Sequence, residues 1–319
     1  MHRPAVPRKA VVAPSPASSS QASPGAFAAL VVANVALAFG PWLVRLADTG
    51  PVAAGFWRIA LAAPVLAAMA LSRLGGGGAR PRALDRGMWG ALAFGGVCFA
   101  ADLASWHLGI LRTTLANATL FGNTATLMYP VYGFLAARAW PSRSQALALA
   151  LAAAGAALLM GRSYQLDSRH LAGDLLCLLA GILYTAYFIA MARARATMTA
   201  IPALALSTLA SAAPLLAFAA ALGERVMPTH WGPLVALALC SQVLGQGLMI
   251  FALGRFSPLV VGVALLVQPV VAGAVGWIVF RERLGAADLV GAALVAAALV
   301  LVRRSTGMTR VDDGSKADA

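Results

Sequence analysis

The sequence predicts an all-α integral membrane protein of ten transmembrane helices built as two inverted five-helix repeats. Three observations lead there. Of 319 residues 61% are hydrophobic and only 11% charged, with a mean hydropathy of +0.81, whereas ordinary soluble domains carry about 25% charged residues. The apolar residues fall into ten stretches near the ~20 residues that cross a hydrocarbon layer of ~30 Å. Finally, the segment from Cys98 to Pro130 returns about 142 positions later: Trp231-Gly232 repeats Trp89-Gly90, Cys240 repeats Cys98, and Gly254-Arg255-Phe256-Ser257 stands where Leu111-Arg112-Thr113-Thr114 stood.

Residues 1–25 are rich in Pro, Ser and Ala, carry Arg3, Arg8 and Lys9, and lack the apolar core of a signal peptide, so they read as a disordered cytosolic tail. The first repeat, 26–163, has expected spans at 26–46, 52–72, 88–110, 114–137 and 145–161. Gly40-Pro41 interrupts the first span just before Trp42, and Pro51 opens the second. The following loop combines four glycines with Arg73, Arg80, Arg82 and Arg86, which makes it flexible and cytosolic. The third and fourth spans are joined by a link short enough to require antiparallel neighbours. The second repeat, 171–304, has expected spans at 172–193, 200–221, 231–253, 257–280 and 286–302, followed by a cytosolic tail at 305–319. Asp174 and Asp288 sit near helix starts, where the dipole favours negative charge. Arg281-Glu282-Arg283, between the ninth and tenth spans, faces outward against the prevailing charge bias.

With an odd number of spans per repeat, the second half enters the membrane in the opposite sense to the first. Both termini are expected in the cytosol, and a substrate site near the midplane between the halves. The formal charge of +13 would suggest nucleic acid on a soluble chain. Here the arginines lie mostly in short connections, where they set orientation, and no nucleic-acid partner is expected. Cys98, Cys177 and Cys240 fall inside apolar segments without a metal-binding spacing, so they read as core residues; no metal or cofactor is expected.

These residues resemble the drug/metabolite transporter superfamily with EamA-type repeats. The likeness rests on Gly55-Phe56-Trp57-Arg58, on Asp102 to Trp106, and on the run from Thr113 to Leu120. It continues through Gly173-Asp174-Leu175-Leu176 with Tyr184 and Tyr187, Ser241 to Gly247, and Gln268-Pro269 through Arg281-Glu282-Arg283-Leu284. The resemblance implies a cavity lined mainly by spans one, three, four, six, eight and nine, and small organic substrates moved outward; the excess of Arg over Lys and the abundance of Ala point to a bacterial source, so the expected location is the bacterial inner membrane. The first repeat departs from it: Thr126 stands opposite Pro269, Ala139 opposite Glu282, and the proline has shifted to Pro130.

Polar residues in the spans are the candidate site. An ionised Asp102 at mid-helix costs about 2.5–3.5 kcal/mol without a partner or water, so it is a candidate for substrate binding and for proton coupling, or for a bond to a neighbouring helix. Trp106 lies one turn on, a flat wall suited to an amine or aromatic solute. His107 is a second coupling candidate, with a helix-interface role as the alternative. Arg58 is shallow enough to snorkel as an anchor. On the fourth span Asn117 and Thr124 continue the Thr113 row and are chosen for the cavity, leaving Thr119 and Asn123 to helix packing. Gln242 and Gln246, one turn apart, can hold a neutral or zwitterionic solute, with Ser241 and Gly245 as a close-contact stripe. Tyr184, Tyr187, Gln268 and Trp42 complete the substrate-binding set; Gln268-Pro269 and Pro130 mark kinks.

No phosphate-binding loop, HExxH or Gly-x-Ser-x-Gly motif occurs, and no enzyme activity is expected. The expected function is secondary transport or export of small organic metabolites, such as amino acids or similar amphipathic compounds, by alternating access. The partners are the substrate, the lipid bilayer and a proton if transport is coupled, with a homodimer left open. Two alternatives remain: a non-transporting subunit of another membrane protein, or an enzyme using Asp102 and His107, which diverge by about 140° on one helix.

Overall fold

The computed structural model describes residues 23–75, 85–113, 118, 121–161, 169–280 and 285–308. The expected N-terminal tail up to residue 22, most of the glycine-rich loop, Asn117, Arg281 to Leu284, and the tail from 309 lie outside them. Among the described residues every regular element is helical. Helix α1 (Pro24–Ala38) starts at Ser23, whose Oγ accepts from the Ala26 N–H at 3.3 Å, and gives way at Phe39 to α2 (Gly40–Leu46). Gly40-Pro41 causes that break: proline has no N–H to continue the ladder and fits only a first turn.

Helix α3 (Pro51–Gly75) is capped from a distance. Glu224 accepts from Val52 N–H at 3.3 Å and Ala53 N–H at 2.8 Å, placing a carboxylate on the positive helix end. Helix α4 (Arg86–Ile110) is capped by Asp85, which accepts from Met88 N–H at 2.6 Å. After α5 (Ala125–Ala137), Arg138 adopts a left-handed conformation at φ 50° that ends the helix. Ser142 and Gln145 then form a reciprocal capping box for α6 (Arg143–Gly161).

The second half contains α7 (Leu171–Arg195), α8 (Ala200–Ala221) and a composite element: α9 (Gly232–Ala236), a π-helix over Leu237–Gln246, and α10 (Gly247–Leu253). Sequence periodicity predicted an ordinary α-helix here; ten consecutive π residues far exceed the usual single-turn bulge. Helices α11 (Pro258–Ala264) and α12 (Val267–Phe280) are separated at Leu265-Leu266, and α13 (Ala286–Met308) is the last described element. The expected kink at Gln268-Pro269 thus lies about one turn earlier, because Pro269 is accommodated in the first turn of α12. Pro130 sits inside α5 rather than at a break.

Among the described residues six stretches are long and apolar enough to cross a membrane: Pro24–Leu46, Pro51–Ser72, Arg86–Ile110, Leu171–Arg195, Ala200–Ala221 and Gly232–Leu253. Parts of the fourth, fifth and ninth expected spans appear as shorter apolar helices, Ala125–Ala137, Arg143–Leu159 and Pro258–Val271. The molecule is a multi-pass helical membrane protein.

Helix α4 is its centre. It packs on α7 and α8, while α3 packs on α8 and the π-helix, α5 on α11, α6 on α13, and α1 on the π-helix and α10. Small residues allow this approach: a Cβ at Gly96 would lie 2.8 Å from the Ser207 carbonyl oxygen on α8, and one at Gly109 would lie 2.5 Å from Cys177 Sγ on α7. Connections at one end interlock. Gly50 N–H donates to Arg225 O at 3.0 Å, Trp57 Nε1 to Val226 O at 2.6 Å, and Asp48 accepts from the N–H groups of Thr229 and His230 and from the Thr229 hydroxyl. The Thr229 hydroxyl, with these N–H groups, holds the Asp48 carboxyl well below the usual carboxylate range. At the opposite end Arg195 Nε donates to Ile250 O at 3.0 Å.

Candidate functional site

Three helix interruptions meet around one partly open cavity of about 140 Å³. The break after α1 contributes Leu37, Gly40 and Pro41; the segment before α5 contributes Gly122, Asn123 and Ala125; the α11–α12 break contributes Leu265, Gln268 and Pro269. Backbone that leaves the helical ladder at membrane depth must line a cavity or be buried in protein, and here it lines one. The remaining wall comes from Arg58 on α3, from Phe99, Asp102, Trp106 and His107 on α4, and from Tyr184 on α7.

Arg58 is only 6% exposed. Instead of snorkelling to the membrane surface, its head turns inward because the π-helix presents an acceptor: Arg58 Nε donates to Gln242 Oε1 at 3.0 Å. Gln242 Nε2 in turn donates to the Thr208 hydroxyl at 3.1 Å, which fixes the amide with its oxygen toward the guanidinium. The guanidinium carbon lies 5.5 Å from the centre of the Phe99 ring. Asp102, 9% exposed, lines the same cavity and has no hydrogen bond among the described residues.

Trp106 packs its indole nitrogen edge onto Gly122, where a Cβ would lie 2.8 Å from Nε1, so glycine is needed there for the ring to hold its place. His107 is 2% exposed and sits 2.7 Å through Nδ1 from the Pro51 carbonyl, which can only accept; Nδ1 therefore carries a proton. Its Nε2 has no hydrogen-bond partner among the described residues.

Tyr184 reaches the wall and donates to Gln246 Oε1 at 3.3 Å. Gln242 and Gln246 are both fully buried behind the wall, where they orient Arg58 and Tyr184 instead of facing the cavity themselves. Tyr187 is also fully buried, stacked on Phe99 with ring centres 4.5 Å apart. Gln268 lines the cavity and donates to Asn34 Oδ1 at 3.0 Å; Asn34 donates to Leu30 O at 2.9 Å. Thr124 lies off the cavity, its hydroxyl donating to Phe121 O at 2.9 Å and its side chain against Gly181, while Asn123 faces in. The reversal has a simple cause: an interruption of the helix between Phe121 and Thr124 destroys the phase relation that carried the Thr113 row forward. Trp42 stands outside the cavity wall, 6.5 Å from Phe39. Asp174 accepts the Thr113 hydroxyl at 2.5 Å, tying α7 to the end of α4.

Sequence reasoning missed Arg58, Phe99 and Asn123 as cavity residues. The available signal for Arg58 was an intramembrane cation one helix away from a paired-glutamine row. Among the described residues no group of three or more His, Cys, Asp or Glu could hold a metal ion.

Residues 171–304 match the model of the EamA-like transporter family. A solved structure described only as "Crystal structure of protein" is similar over 87% of this chain and 98% of its own, with a TM-score of 0.71 at 16% identity. That likeness concerns the fold. No curated protein matches the sequence.

Proposed function

Because residues 171–304 match the EamA-like transporter family, part of the drug/metabolite transporter superfamily, we propose that this protein is a secondary transporter that exports small organic metabolites by alternating access. The observation that carries the reading is the cavity itself: Arg58 and Asp102, side chains of opposite charge type, line one space formed between interrupted helices. Such a site needs a polar occupant, since intramembrane charge is costly when unmatched. Asp102, Trp106, Tyr184, Gln268 and Asn123 contact the solute in this reading, and Gln242, Gln246, Tyr187 and Thr124 hold the wall in place. Asn117, which lies outside the described residues, stays assigned as a solute contact, and Trp42 with it. The substrates are amino acids or similar amphipathic compounds.

The helix pairings support ten spans in two inverted repeats, at 26–163 and 171–304, flanked by cytosolic tails. Under a mapping of each span onto the one five later, α3 with α8, α5 with α11 and α6 with α13 pair equivalent spans, and α4 with α7 maps onto α1 with the π-helix and α10. Such symmetry permits one half to rock against the other around a fixed site. The protein resides in the bacterial inner membrane with both termini cytosolic, either as a monomer or as a homodimer, and has no catalytic activity. Asp102 is the coupling group if a proton is exchanged, with His107 as its nearest alternative on α4.

The test is counterflow of a labelled pool of amino acids and related metabolites into proteoliposomes, with and without a pH gradient. Accumulation that follows the gradient supports proton-coupled transport through Asp102, and Asp102→Asn abolishes the gradient response. Counterflow without gradient dependence leaves a facilitator or exchanger. Absence of flux with folded protein overturns the transport reading.

A further inference from the structure

We infer that the cavity is a receptor for a compact zwitterion, with Arg58 taking the anionic group and Asp102 the cationic group of a single molecule. This deepens the transport reading and rests on it. Both side chains are nine-tenths or more buried and line the same space, yet no ion pair closes between them among the described residues. Arg58 spends one donor, Nε, on Gln242. Its two terminal nitrogens have no protein acceptor among the described residues and are not sealed from the cavity. Gln242 is neutral, so it aims the guanidinium without cancelling its charge, and Thr208 keeps the amide from turning its own donors toward the arginine.

Charge matching then selects the ligand. A carboxylic acid would satisfy Arg58 and leave Asp102 facing a like charge, an amine would do the reverse, and a neutral solute would leave both unmatched in low dielectric. One molecule with both charges neutralises both walls and adds no net charge to the membrane interior. Size narrows it further. The space of about 140 Å³ is close to the roughly 150 Å³ that holds a benzene-sized ligand, and apolar Phe99, Trp106 and Leu265 share its lining with His107, Asn123, Tyr184 and Gln268. A short branched aliphatic amino acid has that shape.

The experiment uses purified full-length protein and three probes of one skeleton: L-valine, which carries both charges, isobutylamine, which lacks the carboxylate, and isovalerate, which lacks the ammonium. Ligand-dependent thermal stabilisation in detergent reads binding, and counterflow of labelled valine into proteoliposomes reads transport. Valine is expected to bind about 10- to 100-fold more tightly than either analogue, the ratio set by losing one charge-assisted contact. Arg58→Gln removes the preference for valine over isobutylamine, and Asp102→Asn removes that over isovalerate. Should Arg58→Gln fail to fold, Arg58→Lys with the wild-type ladder decides. Equal affinity for the three probes, no binding of valine, or unchanged ratios in the two variants would overturn the assignment. Counterflow of other solutes in that case leaves the transport reading intact, whereas charge-matched binding of valine without any flux keeps the zwitterion site and removes the transport reading.

Discussion

Gly96→Ala isolates the packing that positions the whole site. The new Cβ would lie 2.5 Å from Ala210 Cβ, 2.8 Å from the Ser207 carbonyl oxygen and 3.1 Å from the Ala210 carbonyl carbon, all on α8. Ordinary carbon contacts need about 3.5–4.0 Å. Two of those neighbours are backbone atoms, so relief requires α4 and α8 to part by up to about 1 Å, and overpacking of this kind costs about 1–3 kcal/mol. The change also strains the bond from the Ser211 hydroxyl to Gly96 O, 2.8 Å long. Against it stands the helix-propensity gain of about 1 kcal/mol for replacing glycine with alanine. Gly90→Ala on the same helix supplies the control, since a Cβ there meets nothing within 4 Å and only the gain remains. Unfolding in mixed micelles, followed by tryptophan fluorescence, should place Gly96→Ala about 1–3 kcal/mol below Gly90→Ala. A Gly96→Ala protein as stable as its control would refute the claim that α4 is seated by backbone contact. Solute binding gives a second readout, because Asp102 and Trp106 move with α4.

Further outcomes follow from the same geometry. Gln242→Leu leaves the buried Arg58 Nε without its acceptor, a loss of about 1–3 kcal/mol, and should lower both thermal stability and solute affinity; unchanged affinity would show that the guanidinium needs no aiming. Glu224→Ala uncaps α3 and should cost about 0.5–2 kcal/mol in the same unfolding assay. Asp48 has a carboxyl pKa depressed in the folded protein, so its contribution is complete above the unfolded value near 3.9 and declines as pH falls below that toward the folded one. The stability difference between wild type and Asp48→Asn should therefore be flat from pH 7 to about 5 and shrink in acid; a difference that grows in acid contradicts the sign. Single cysteines at Trp140, Gly76 and Lys316 should be labelled only from the cytosolic side in a cysteine-free background, and external labelling reverses the proposed orientation.

Asp102, Trp106, Tyr184 and Gln268 were legible as candidates because a polar group inside an apolar run is conspicuous by itself, and each lines the cavity. Thr124 was chosen over Asn123 by extending a helical row across residues where the helix does not continue. Gln242 and Gln246 are legible as a pair one turn apart that suits the cavity face, but they stand one layer behind it, bonded to Arg58 and Tyr184. The sequence separation of those bonds, 184 and 62 residues, lies far beyond any local pattern.

By itself the sequence determined the helical membrane class and the few residues too polar for lipid, because hydropathy acts over a single span and needs no knowledge of its neighbours. Only the tertiary structure decided which polar residues share a space and which brace its wall. Helix interruptions reset the rotational phase that periodicity would carry forward, and an inward-turned arginine exists only where a helix distant in sequence brings its acceptor.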